Sequence, residues 1–85
     1  MKQNTTSTER IKEYVINNAA GTNNFQIDES TLLFEEGLFD SMGFMALIAF
    51  LQEEYNIQAN DDELVVENFE SINAIVTYVN KKLSA

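Results

Sequence analysis

Apolar residues return at helical intervals in three stretches of the chain. Ile11, Tyr14, Val15 and Ala19 follow Thr6 and Glu9, which stand at capping-box spacing, so the pattern predicts a first helix from about Ser7 to Ala19 with Gly21 as its stop. Phe44, Leu47, Ile48, Leu51 and Tyr55 form a second stripe and predict a helix that opens at Asp40 or Ser41 and runs to about Tyr55. Ile72, Ile75, Val76, Val79 and Leu83 form a third, capped by Ser71 and carrying Lys81 and Lys82 at the negative end of the helix dipole.

The segments between these helices are less regular. From Gly21 to Asp40 no period is evident, yet Phe25, Ile27, Leu32, Leu33, Phe34, Leu38 and Phe39 are too apolar for a solvated linker. The loop must therefore pack on the core, and a connection of such length is expected only where it serves a function. Asp61 to Phe69 predicts one or two short amphipathic turns with Leu64, Val65 and Phe69 available for burial. The alternative, a strand over Leu64 to Val66, has no partner strand elsewhere. The predicted fold class is all-α, a four-helix bundle of three longer helices and one short one, with a long first loop. Its core should join Ile11 and Val15 with Leu47, Ile48, Leu51, Ile75, Val76 and Val79. Residues 1–6 are polar enough to form a flexible tail, leaving 7–85 as a single domain.

Composition narrows the function more than it narrows the fold. The 85 residues include no cysteine and no histidine, which removes disulfides, thiolate chemistry, the commonest general base and the commonest zinc ligand. Asp61, Asp62 and Glu63 are consecutive, without the alternate spacing of a calcium loop, so no metal is expected. No pair of carboxylates is marked by its surroundings as an acid and base, and an enzyme is not expected. The chain shows neither a leader-like basic and apolar opening nor an apolar run near the roughly 20 residues of a membrane span, so a cytoplasmic protein without membrane insertion is expected. Net charge is -9, and the five basic residues lie near the two ends, leaving only acids between Glu13 and Asn80. Such a body repels nucleic acid and is drawn toward basic protein surfaces.

The run Leu38-Phe39-Asp40-Ser41-Met42-Gly43 closes the long loop and opens the strongest helix. Taken alone, Asp-Ser at that place is what an ordinary N-cap looks like. The larger arrangement, Gly-Leu-Phe-Asp-Ser-Met before a helix with Glu67-Asn68-Phe69-Glu70-Ser71-Ile72 downstream, resembles the acyl carrier protein family over nearly the whole chain. Gly37, Asp40, Ser41 and Met42 match that family's Gly-x-x-Asp-Ser-(Leu/Met) signature. The resemblance implies a four-helix carrier whose 4'-phosphopantetheine arm, transferred from coenzyme A, is attached at Ser41, with Asp40 helping the transferase recognise the site. It further implies partner enzymes: a phosphopantetheinyl transferase, an acyl- or aminoacyl-activating ligase, and acyltransferases or synthases with basic or apolar docking surfaces. A monomer is expected.

Met42, Met45, Ala46 and Ala49 lie together on the side of the second helix that Ser41 also faces. They are expected to form a docking face, with Glu53 and Glu54 as the acids beside it; the alternative is that they pack against the long loop. Carriers of fatty-acid synthesis typically show several acids along this helix, whereas Gly43 and Ala46 here occupy positions that are often acidic. The run around Ser41 looks closer to D-alanyl carriers and to freestanding peptidyl or aryl carriers. The competing class is a helical adaptor without a prosthetic group, in which Ser41 is only a cap.

Overall fold

The computed structural model describes residues 8–19 and 27–84 of the chain. Among the described residues four helices follow one another: α1 Thr8–Asn18, α2 Ser41–Tyr55, α3 Val66–Phe69 and α4 Ile72–Ser84, with a 3₁₀ turn at Asp61–Glu63 ahead of α3. Among the described residues there is no strand, so the segment Leu64 to Val66 does not form one. The all-α expectation is met, and the long helices begin and end within a residue or so of their predicted bounds. Thr6, Gly21, Phe25 and the expected tail lie outside the described residues.

The core takes one stripe from each helix. Ile11 and Val15 of α1, Leu47, Ile48 and Leu51 of α2, Phe69 of α3, and Ile72, Ile75, Tyr78 and Val79 of α4 are buried together. Ile27, Leu33, Leu38 and Phe39 join them, so the long loop is a wall of the core, as its composition requires. Tyr14 of α1 stacks on Phe50 of α2 with ring centroids 4.1 Å apart. Six expectations of burial need correction. Leu83 is 38% exposed because it lies in the last turn of α4, beyond Val79, the last buried residue. Val65 is 42% exposed: it stands in extended backbone ahead of α3, and the inner place of that four-residue helix goes to Phe69. Val76, Phe44 and Tyr55 are partly rather than fully buried, and Leu32 is exposed.

The long loop is also more ordered than its lack of period suggests. Its Leu33 N-H donates to the Glu70 carbonyl at 2.8 Å, and the Asn73 N-H of α4 donates to the Glu29 carbonyl at 3.0 Å, stitching the loop across the α3–α4 junction. Within it, the Leu38 N-H reaches the Leu33 carbonyl at 2.9 Å and the Gly37 N-H reaches the Phe34 carbonyl at 3.1 Å. With Gly37 at φ 78°, this is the Schellman closure of a helical turn, a left-handed position that suits glycine. Asp28 makes a second local turn, accepting from the Ser30 N-H at 2.9 Å and the Thr31 hydroxyl at 3.1 Å. Ion pairs tie the basic ends back to the acidic body: Arg10 to Glu54 at 2.7 Å, Lys12 to Glu29 at 3.4 Å and Lys82 to Glu63 at 3.0 Å.

Candidate functional site

The start of α2 divides two roles between neighbouring residues. Asp40 is extended, with φ -108° and ψ -166°, and its carboxylate accepts the Gly43 N-H at 2.9 Å, making it the N-cap. Ser41 is then the first helical residue, exposed, and the capping bond is not made by its hydroxyl. The first intrahelical bond runs from the Phe44 N-H to the Asp40 carbonyl at 2.8 Å, so the amides of Ser41 and Met42 precede the hydrogen-bonded ladder. Unpaired amides and the positive end of the helix dipole favour an anion carried by Ser41.

Gly43 lets this start be built as it is. A Cβ there would lie 3.0 Å from Cδ2 of Phe39 and 3.4 Å from the capping oxygen of Asp40. Absence of a side chain seats Phe39 against the first turn and brings the end of the long loop close to Ser41. The sequence shows Gly43 only as a missing acid; its role as a seat for Phe39 depends on a contact between loop and helix that no local pattern records.

Beside Ser41 lies an open groove of about 300 Å³, lined by Phe34, Phe39, Asp40, Ser41, Phe44 and Val66. Its floor is the upper end of an aromatic ladder. Phe34 meets Phe39 and Phe44 edge-on at 6.4 and 5.6 Å, Phe44 meets Phe69 at 5.4 Å, and Phe69 meets Tyr78 at 4.9 Å. Phe34 and Val66 are site residues that sequence reasoning does not single out. Their apolar character is visible, but their meeting at Ser41 is made by the packing of loop and α3 on either side of α2.

The outward stripe of α2 is exposed. Met42 and Met45 are 80% and 59% exposed, and Ala46 and Ala49 are exposed beside them, so the described part of the long loop, from Ile27 on, covers none of the four. Glu53 is exposed near the end of the helix. Glu54 is exposed as well, and its carboxylate pairs with Arg10, tying α2 to α1.

An exposed hydroxyl at a helix start, a groove open beside it and an apolar stripe leading away suit a carrier, a protein that presents a tethered group. Residues 10–79 match the family described as "phosphopantetheine attachment site". Over 68 residues the chain is 34% identical to the D-alanyl carrier protein of Lactococcus lactis subsp. lactis (strain IL1403), covering 80% of this chain and 86% of that protein. The D-alanyl carrier proteins of Lactococcus lactis subsp. cremoris strains MG1363 and SK11 show the same identity and coverage. The chain belongs to the phosphopantetheine-binding family of acyl carrier proteins. It carries a covalently attached 4'-phosphopantetheine, works with transferase and ligase enzymes, and is not itself catalytic.

The residues at the head of α2 fit that group. A phosphodiester needs an exposed hydroxyl and nearby N-H donors, which the first turn has at Ser41 and Met42. The largely apolar walls of the groove suit the less polar part of a chain lying along them. When attached, the arm supplies a terminal thiol on which an acyl group is held as a thioester.

Proposed function

We propose that Ser41 bears the arm and that the chain carries a small aminoacyl group, of the kind named for its D-alanyl relatives, from an activating ligase to an acceptor enzyme. The observation that carries this reading is the division of labour at the start of α2. Asp40 makes the cap, and the Ser41 hydroxyl remains exposed for modification. A serine that served only as a cap would be the acceptor of the Gly43 N-H, a place that Asp40 holds.

Each neighbour has a part in this proposal. Asp40 fixes the first turn and offers a carboxylate edge for the transferase. Phe34, Phe39, Phe44 and Val66 support the arm along the groove and keep water from one side of it. Met42, Met45, Ala46 and Ala49 dock apolar surfaces of the partner enzymes, and Glu53 with the rest of the acidic body steers basic ones toward them. Partner enzymes supply the acids, bases and nucleophiles. Among the described residues no helix is long and apolar enough to cross a membrane. We place the protein in the cytoplasm, as a monomer, where coenzyme A serves the transferase.

Incubation with coenzyme A and a broad-specificity phosphopantetheinyl transferase, followed by peptide mass mapping, tests the attachment. One increment on Ser41 is expected. Attachment at another serine, or none with any competent transferase, overturns the assignment. Competition between D-alanine and fatty acids for ligase-dependent loading of the holo protein then tests the cargo, and preferential fatty-acyl loading would exclude an aminoacyl role.

A further inference from the structure

We infer that Glu63 is a positioning residue for the groove beside Ser41: it clamps the 60–69 segment to α4 and thereby holds Val66, a wall of the groove, in place for the arm. The inference rests on the proposed attachment at Ser41. Glu63 joins two elements through two different parts of itself. Its carboxylate accepts the Asn60 N-H at 3.0 Å and the Tyr78 hydroxyl of α4 at 2.8 Å, both on Oε1. The Lys82 ammonium of α4 reaches both of its oxygens, Oε1 at 3.0 Å and Oε2 at 3.1 Å. Its main-chain carbonyl accepts the Val65 N-H at 2.9 Å and the Asn68 side-chain amide at 2.8 Å. The side chain thus grips α4 while the main chain grips Val65, just ahead of α3, and Asn68 within it, the residues on either side of Val66 and Glu67.

Val66 needs such a grip. It opens a helix of only four residues, too short to hold its own geometry in water, so its place is set by tertiary anchors. Phe69 anchors the inner side of that helix and is fully buried. Val66 is 52% exposed, and what leads into it is the turn that Glu63 organises. The groove's floor is held differently. Phe44 leans on Phe69, and Phe69 on the Tyr78 ring, all within or against the core, so the floor persists when the clamp is removed. Wall and floor are therefore separable by experiment. The donors around Glu63 also keep its carboxyl down at about 2, so it stays charged into acid that would protonate an ordinary glutamate.

The test uses holo protein prepared with coenzyme A, with isotope-labelled valine methyls, as wild type, Glu63→Ala and Glu63→Gln. In the wild type, arm protons should show magnetisation transfer to the Val66 methyls and to the Phe44 ring. Glu63→Ala should lose most of the Val66 contact and exchange its 64–69 amides faster, while the Phe44 contact and the protection of Ile75 and Val79 amides persist. Glu63→Gln keeps an acceptor for Asn60 and Tyr78 and should retain most of the Val66 contact. An undiminished Val66 contact in Glu63→Ala overturns the inference. So does a loss shared equally by Phe44 and the core amides, which is the mark of a merely structural residue. Should Glu63→Ala not fold, the pair Tyr78→Phe and Lys82→Met removes the grip on α4 from the other side, and the same contacts decide. An arm on Ser41 that touches neither Val66 nor Phe44 in the wild type overturns this inference and leaves the attachment standing, whereas absence of an arm on Ser41 removes both.

Discussion

Ser41→Ala separates chemistry from folding, because the cap of α2 belongs to its neighbour. With the Asp40 carboxylate still holding the Gly43 N-H, the substitution should cost less than about 1 kcal/mol, well within what loss of a cap would take. Attachment of the arm should vanish. Urea unfolding and intact mass after transferase treatment measure the two effects on one sample, and a large loss of stability would mark Ser41 as structural. Gly37 poses the opposite case. A Cβ there meets nothing within 4 Å, so Gly37→Ala tests conformation alone: holding alanine at φ 78° should cost about 1–2 kcal/mol, read as a lower urea midpoint. The Gly and Ser of the signature are legible in the sequence, but the reason for each is not. Gly37 is needed by the turn it closes, and Ser41 is exposed because another residue takes the cap.

Helix α2 has two apolar faces and only one core. Leu47, Ile48 and Leu51 face inward, while Met42, Met45, Ala46 and Ala49 remain exposed. Methionine side chains adapt to irregular surfaces, and an exposed apolar stripe beside a modification site is suited to transient docking. Met45→Glu should therefore weaken ligase-dependent loading chiefly through faster dissociation, since a charge would be desolvated against an apolar partner surface. Glu53→Gln should instead slow association, and added salt should reproduce its effect. Glu54 is a poor probe of docking because its removal also breaks the pair with Arg10. Loading kinetics of Met45→Glu and Glu53→Gln at two ionic strengths check these expectations. A larger effect from Glu53→Gln than from Met45→Glu would refute the apolar docking face.

Across the whole molecule, Asp28 in its local turn and the Glu63–Tyr78 pair that joins the 60–69 segment to α4 make stability depend on pH. The Asn60 N-H first, then Lys82 and Tyr78, hold Glu63 down at about 2, against an ordinary value of 4.5. The Ser30 N-H first, then the Thr31 hydroxyl, lower Asp28 below its ordinary 3.8. Both are depressed on folding, so each contributes stability that is present above its unfolded value and lost as pH falls toward the folded one. Tyr78 behaves in the opposite sense. Burial first, then its bond to Glu63, raises it above 10.0, and its contribution is full below that value and lost at higher pH. Acid should therefore loosen the 28–31 turn and the Glu63 clamp together. Urea midpoints of wild type and Glu63→Gln should differ at about pH 6 and draw closer at about pH 3; an equal gap at both would show that the Glu63 charge adds nothing to stability.

The three long helices follow from the sequence itself, because a stripe repeated over several turns is a local property that survives any tertiary arrangement. The same holds for the apolar character of the long loop, for the capping role of Ser71, for a helix start at Asp40 or Ser41, and for the motif that points to Ser41. Ser71 does cap α4, accepting the Ala74 N-H at 3.1 Å. What tertiary structure alone decides lies where an element is too short to show a period or where partners are distant in the chain. Val65 and Val66 look alike in sequence to Leu64 and Phe69, but a four-residue helix has room for one deeply buried residue, and Phe69 takes it. The groove at Ser41 and the grip of Glu63 on Tyr78 and Lys82 join residues from the long loop, α2, α3 and α4. Such meetings depend on how the elements dock, since burial and ion pairing are set by the neighbours that packing supplies.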